Sequence, residues 1–260
     1  MSSLQFLGTG PGSPVQGRFF SSCLLQHDAS LVLVDAGEPC SQRLVEAGVS
    51  SADIDAVLLT HGHSDHTAGL PMLLQSAWLA PRTKPLPVFL PRELIAPLEA
   101  WLCAVYLPPS LLGFELSFHS WAAGRSVAAA KDVDVLPFPT THLEGLRRII
   151  DPAAKEKFEI FGLDIRCGAK RVVFSSDLGA PGDLDCALRT PCDLLVCELS
   201  HFSADELFDF LGGKQIGTLV LNHLAPEHAG AEAKIAEQAA RALPRVRRVV
   251  VPKDGEKIDF

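Results

Sequence analysis

The chain has 260 residues, 47% of them hydrophobic and 21% charged, an ordinary balance for a globular protein long enough to bury a full core. A formal charge of −8 argues against broad, non-specific nucleic-acid binding and leaves room only for a local basic patch. Seven cysteines without a CxxC pair, and no basic-then-apolar leader at the start, read as reduced thiols in a cytoplasmic protein, and every apolar run is broken before it reaches bilayer-spanning length.

In chain order, residues 4–7 predict a strand, followed by the loop Gly8-Thr9-Gly10-Pro11-Gly12-Ser13-Pro14, whose glycines are free to take positive φ. It lacks the Lys-Ser/Thr ending of a P-loop, so by itself it reads as a plain turn. Residues 22–27 and 30–35 predict a hairpin turning at Asp28-Ala29, with His27 solvated at the tip and Asp35-Ala36-Gly37 closing the second strand. A short helix is expected over 41–47. The short apolar run 56–59 predicts a buried strand. It leads into Thr60-His61-Gly62-His63-Ser64-Asp65-His66, and 67–80 has helical periodicity. Three of the nine histidines therefore fall within six residues, on a strand-to-helix loop. Imidazole and carboxylate are donors that suit zinc, iron or manganese. His61 and His63, two apart, point the same way in an extended segment, while Asp65 and His66 turn onto the neighbouring side. One loop can thus feed two adjacent metal positions.

Further on, 81–87 is a Pro-rich connector and 88–90 a strand. Residues 92–106 predict a helix with Leu94, Leu98, Trp101 and Val105 near one face, ended by Pro108-Pro109. Residues 114–121 alternate like a strand, with His119 packed or edge-exposed among aromatics. The strand 133–139 runs into Thr140-Thr141-His142. Residues 144–157 are polar and mixed, and 158–163 resume strand character. The strand 171–177 ends in Asp177, an aspartate placed to bridge two cations. The strand 193–197 precedes Glu198-Leu199-Ser200-His201, and 217–223 ends in His223. His228 starts the loop before a helix at 230–243, and 246–251 reads as the last long strand. No linker or low-complexity run interrupts the chain, so 1–260 is expected to form one domain.

The pattern His61-x-His63-x-Asp65-His66 after an apolar strand resembles the signature of the metallo-β-lactamase superfamily. That resemblance implies an α/β (α+β) fold: a four-layer αββα sandwich of two mixed β-sheets flanked by helices, with a dinuclear metal site at one edge. It implies one metal position of His61, His63 and His142, a second of Asp65, His66 and His223, and Asp177 bridging them. Bacterial metallo-β-lactamases proper tend to carry Cys at the place of Asp177, which argues against antibiotic hydrolysis. Leu7-Gly8-Thr9-Gly10 and Glu198 resemble the RNase Z branch, in which a strand-end glutamate orients a catalytic histidine. The Gly-His-Ser-like segment that carries that histidine is missing here; His201 either replaces it or lines the cleft. The Gly/Pro-rich arm that grips tRNA is also missing between His142 and Asp177.

The implied cofactors are two divalent metal ions, Zn2+ by default, with Mn2+ or Fe also suiting the donors. Two cations sharing one water lower its pKa and give a hydroxide able to attack phosphorus or a carbonyl carbon. Asp65 is then a metal ligand that also accepts a hydrogen bond from the nucleophile, Glu198 orients its histidine, and His201 or His228 protonates the leaving group. The leading expectation is a metal-dependent hydrolase of a small, nucleotide-like phosphodiester, with tRNA disfavoured as a partner. A thioester, lactone or other acyl hydrolase stays open as the alternative, and a metal-binding protein without turnover is the third reading. No membrane partner is expected, and a homodimer is compatible with the resemblance.

Overall fold

The central strands of this chain are buried on both faces, because two sheets pack on each other and each is covered by helices outside, while edge strands such as Leu116–Ser120 and Lys257–Asp259 keep exposed residues. The computed structural model describes residues 2–154 and 157–260. The first sheet holds β1 (Ser2–Gly8), β2 (Ser22–His27), β3 (Ser30–Val34), β4 (Ala56–Leu58), β5 (Leu86–Leu90), β6 (Leu116–Ser120) and β14 (Lys257–Asp259), in the order β14-β1-β2-β3-β4-β5-β6. The second holds β7 (Val127–Ala130), β8 (Val133–Pro139), β9 (Phe161–Cys167), β10 (Lys170–Phe174), β11 (Cys192–Leu199), β12 (Ile216–Leu224) and β13 (Arg248–Val250), in the order β13-β12-β11-β10-β9-β8-β7. Both are mixed: β3 to β6 run parallel beyond an antiparallel β1–β2–β3, and β10 to β13 run parallel beyond an antiparallel β7 to β10.

Period-two alternation sorts the side chains into layers. Val32 and Val34 of β3 point inward to Ile165, Leu194 and Val220 of the other sheet, in one shared core. Leu33, between them, points outward against the helices α1 (Cys40–Glu46) and α3 (Leu70–Leu79), through Leu44, Leu70, Leu73 and Leu74. Across the molecule, Leu195, Leu219 and Leu221 meet Leu207 and Leu211 of α6 (Ala204–Leu211) and Ile235 and Ala239 of α7 (Glu232–Ala242). This is the expected αββα sandwich. Among the described residues no helix is long and apolar enough to cross a membrane.

Several local expectations are corrected. The helix 67–80 is two pieces, α2 (Ser64–Thr67) and α3. The helix 92–106 is a 3-10 turn, Arg92–Leu94, followed by α4 (Ile95–Ala104). Pro97 has no N–H to bond the carbonyl four residues back, so the α-helical ladder starts no earlier. Leu98 and Leu102 are its buried residues, and Val105 is exposed. The polar stretch after His142 contains α5 (Glu144–Ile150). The strand 158–163 begins only at Phe161, because Phe158 has a left-handed backbone, φ 63°. The last long strand shrinks to Arg248–Val250, which among the described residues pairs with β12 alone, and the chain end becomes β14, paired with β1. α6 has a capping box of Ser203 and Glu206, a Ser-x-x-Glu signal that the chain-order reading passes over. His27 is tied to Ser2 Oγ at 2.8 Å across the β1–β2 ladder instead of standing solvated. Nor do Gly8, Gly10 and Gly12 adopt positive φ: a Cβ on Gly8 would fall 1.8 Å from the Phe20 carbonyl oxygen, and one on Gly10 2.9 Å from that of Phe19. Their use is close approach.

Candidate metal centre

The loop after β4 is pinned before it reaches its histidines. Thr60 donates to the Asp35 carboxylate twice, from its N–H at 2.8 Å and from Oγ1 at 3.0 Å. His61 and His63 then lie with their rings 4.7 Å apart, and His63 keeps an extended backbone (φ −62°, ψ 147°) at the start of α2. The turn of α2 carries Asp65 and His66 to the other side. The remaining donors come from strand ends of the second sheet: His142 after β8, Asp177 after β10 and His223 near the end of β12. Glu198 pairs with Asn222 and Leu199 with Leu224, so His223 is the extra residue of a β-bulge, with φ 49°. Bulges re-aim side chains, and here the re-aimed side chain faces the cluster. Asp35 (φ 57°) and Ser176 (φ 54°) are also left-handed, so strained backbone gathers around this one place.

Two donor sets result. One atom each from His61, His63, His142 and Asp177 lie within 4.8 Å of one another, and so do atoms from Asp65, His66 and His223. Asp177 faces both sets with different oxygens. Its Oδ2 is 3.8 Å from His61 Nε2 and 3.7 Å from His142 Nε2; its Oδ1 is 3.5 Å from both His66 Nε2 and His223 Nε2. Asp65 Oδ2 is 3.3 Å from His66 Nε2 and 3.8 Å from His223 Nε2.

The residues fit divalent cations. His61 Nε2 and His66 Nε2 are buried with no hydrogen-bond partner among the described residues. Two ligands held at about 2.1 Å by one tetrahedral cation stand about 3.4 Å apart. The 3.3–3.8 Å spacings above suit atoms that share a cation better than atoms bonded to each other. The opposite ring nitrogens are tied down. His66 Nδ1–H donates to Asp35 Oδ2 at 2.7 Å, and His223 Nδ1 meets Ser21 Oγ at 2.8 Å. Thr60 Oγ1 gives its proton to Asp35, so at 3.1 Å it accepts from His61 Nδ1–H, which leaves His61 Nε2 bare. Such outer partners fix tautomer and ring orientation.

Electrostatics agree with this division. Burial, then the neighbouring His66, hold His61 well below the usual histidine range, and burial takes His142 down to about 4. Burial opposes charge on Asp177 too, but His223 and His66 outweigh it and hold the carboxyl well below its usual range. For His66 burial is outweighed by Asp177 and Asp35, which push it well up; a proton and a cation compete for that Nε2.

Beside the donors stands a pair that belongs to neither set. Glu198 is buried and accepts from the N–H groups of Leu178 (2.6 Å), Ser200 (2.9 Å) and His201 (3.2 Å), and from His201 Nδ1 at 2.8 Å. The His201 ring lies 4.3 Å from that of His142 and 6.2 Å from that of His223, with a third of its side chain exposed. Burial lowers His201, and the Glu198 hydrogen bond and charge more than reverse it. His228 is not brought in: among the described residues no ring contact or side-chain hydrogen bond joins it to the cluster, because the turn Pro226–His228 carries the chain away toward α7. Three supports escaped the sequence reading. Ser21 holds His223. Thr140 Oγ1 donates to the Asp177 carbonyl at 2.8 Å. Asp183 accepts from the N–H groups of Thr141 and Gly179, both at 2.9 Å, joining the loops of His142 and Asp177. Each depends on a contact between residues far apart in the chain, 37 positions or more, made by a common residue type.

Comparison with known proteins agrees. Residues 30–251 match the family described as beta-lactamase superfamily domain. A ribonuclease Z of Methanococcus maripaludis is 28% identical over 201 residues, 74% of this chain and 63% of that protein, so the chain spans less than two thirds of that relative. The metallo-beta-lactamase fold protein YhfI of Bacillus subtilis superposes with a TM-score of 0.79 at 19% identity, over 99% of this chain and 98% of its own. A diphosphatase of the PhnP family superposes with a TM-score of 0.73 at 18% identity, over 100% and 98%. At these identities the two structures show a shared fold.

Proposed function

The chain belongs to the beta-lactamase superfamily, and from that premise we propose that it is a metal-dependent hydrolase that cleaves a small, nucleotide-like phosphodiester. The observation that carries the reading is His201, locked by Glu198 and standing beside a cluster of seven metal-type donors split around Asp177. His61, His63 and His142 would hold one divalent cation and Asp65, His66 and His223 a second, with Asp177 shared; zinc suits these donors best. Bound cations supply Lewis acidity to the phosphoryl oxygens and acidify the attacking water.

The chain's own groups do the rest. Asp65 Oδ2, at the inner wall of the second set, accepts a hydrogen bond from the attacking water and orients it. Glu198 keeps the proton on His201 Nδ1 and fixes the ring, so His201 Nε2 holds a second proton that passes to the leaving oxygen. A third of the His201 side chain is exposed, which suits delivery to a substrate in the cleft. The sequence relatives named ribonuclease Z support a phosphodiester. Two features favour a small substrate over tRNA: among the described residues only α5 and the β9–β10 hairpin separate His142 from Asp177, and the net charge is −8.

The test is hydrolysis of bis(p-nitrophenyl) phosphate beside a generic thioester and a lactone, on protein of known metal content. Phosphodiester cleavage that is lost in Asp65→Ala is the expected result. Turnover of the acyl substrates alone would replace this reading by an acyl hydrolase. Two bound metals with no turnover of any substrate, nucleotides included, would leave a metal-binding protein.

A further inference from the structure

The second sheet carries a different charge pattern at its other end. The metal-type donors of this sheet lie at or past the C-terminal ends of its strands, whereas the starts of β11, β12 and β13 gather at the far side, about 25 Å away at a rise of roughly 3.3 Å per residue. A cavity of about 390 Å³ opens there, lined by Lys214, Arg245 and Arg247 together with Asp193, Ile216 and Gly217. That volume is in the range of small-molecule sites.

The lining holds three cations, of which Lys214 is already paired with Asp185 at the rim, and one carboxylate, Asp193, which is committed. Asp193 Oδ2 accepts the Arg171 N–H at 3.0 Å and Oδ1 meets Lys170 Nζ at 3.3 Å. Lys214 Nζ bonds Asp185 at 2.7 Å and sits 4.7 Å over the Phe210 ring, which holds it in place at the rim. No hydrogen bond or ion pair among the described residues engages the guanidinium of Arg245 or of Arg247. Arg247 is nevertheless positioned. Its N–H donates to the Gly217 carbonyl at 3.1 Å, and a Cβ on Gly217 would lie 2.9 Å from Arg247 Nη2 and 2.4 Å from the Asp193 carbonyl oxygen. The bare glycine is what lets the guanidinium lie against the strand start. In a chain of net charge −8, this is a local, concave excess of positive charge with unused donors.

We propose that this cavity binds a phosphate-bearing small molecule, with Arg245 and Arg247 on the phosphate oxygens and Lys214 adding a third charge. Guanidinium forks match phosphate geometry, and two of them on one phosphate give charge-assisted hydrogen bonds. Three cations in a concavity suit one phosphate or diphosphate, while the overall charge opposes a long polyanion.

Isothermal titration of the full chain as purified tests this, with inorganic phosphate, adenosine monophosphate and a single-stranded oligonucleotide as separate probes. Wild type is compared with the Arg245→Ala/Arg247→Ala double variant and with Arg247→Lys. The arginines are exposed, and an unchanged melting temperature confirms that the variants fold. Saturable binding of phosphate or the nucleotide, weakened roughly tenfold or more in the double variant and less in Arg247→Lys, is the expected outcome. Equal binding of the two probes identifies free phosphate as the ligand; tighter nucleotide binding identifies a phosphorylated metabolite. Identical titrations of wild type and double variant would put the anion elsewhere and overturn the proposal. So would no saturation up to about 10 mM, a Kd too weak to matter at cellular phosphate levels, or binding of the oligonucleotide alone. None of these readouts uses turnover, so the proposal stands or falls apart from the hydrolase reading.

Discussion

The two donor sets are held differently. Asp65, His66 and His223 are all buried, and the Nδ1 atoms of both histidines are tied, to Asp35 and to Ser21. In the other set only His61 and Asp177 are buried. His63 and His142 are half-buried, and among the described residues no hydrogen bond holds either ring. His201 stands on that open side, next to His142. One set is clamped by the scaffold and the other is left accessible, so substrate would meet the cluster where His63, His142 and His201 border solvent. Rigid support behind and open coordination in front is the arrangement a hydrolytic centre needs.

The strongest way to break this contrast is to remove the residue common to both sets. Asp177→Ala should cut bound metal from the proposed two per chain to one or none and lower kcat by roughly 10³-fold or more, read by elemental analysis and steady-state assay; full metal content would sink the shared-ligand role. Next is the open side. His201→Ala should leave metal content unchanged and reduce kcat by roughly 10²-fold or more on a substrate with a poor leaving group, and by much less with p-nitrophenolate, which departs without a proton. An equal loss on both substrates would mean that His201 acts structurally. The clamped side comes third. Asp35→Ala should weaken the second metal position roughly 10–100-fold, and Ser21→Ala should do so toward the lower end of that range, both measured by metal titration against a chelator. Ser21 touches one ligand whereas Asp35 holds His66 and Thr60. The smallest effect belongs to His228→Ala, which should leave kcat and metal content within roughly twofold of wild type, as substitutions away from a site usually do. A large loss there would show that the loop after β12 closes over the cleft.

The same contrast marks what sequence reading sees. His61, His63, Asp65 and His66 are legible because they share one short loop, where backbone periodicity alone sets which way each side chain faces. His142, Asp177 and His223 are legible as polar residues ending apolar strands. His201 and His228 look alike in sequence, each in a polar stretch just after a strand, and only the fold separates them: Glu198 draws one against the cluster, and a 3-10 turn carries the other off. The Ser21 clamp is invisible for a related reason. Ser21 and His223 are brought together only when the two sheets pack, and a serine before a strand carries no mark of its distant partner.

By itself, then, the sequence determined the strand-rich elements and the donors of the His61–His66 loop through local periodicity and spacing, and through the family resemblance of that loop it implied the layering and the more distant donors. Tertiary structure decided which oxygen of Asp177 faces each donor set and which histidine stands beside them. It also decided that Lys214, Arg245 and Arg247 share a cavity at the far end of the sheet. Those outcomes depend on a bulge, on left-handed residues at strand ends and on contacts between segments far apart in the chain. Their free energy comes from packing the whole sandwich, so no local stretch encodes them.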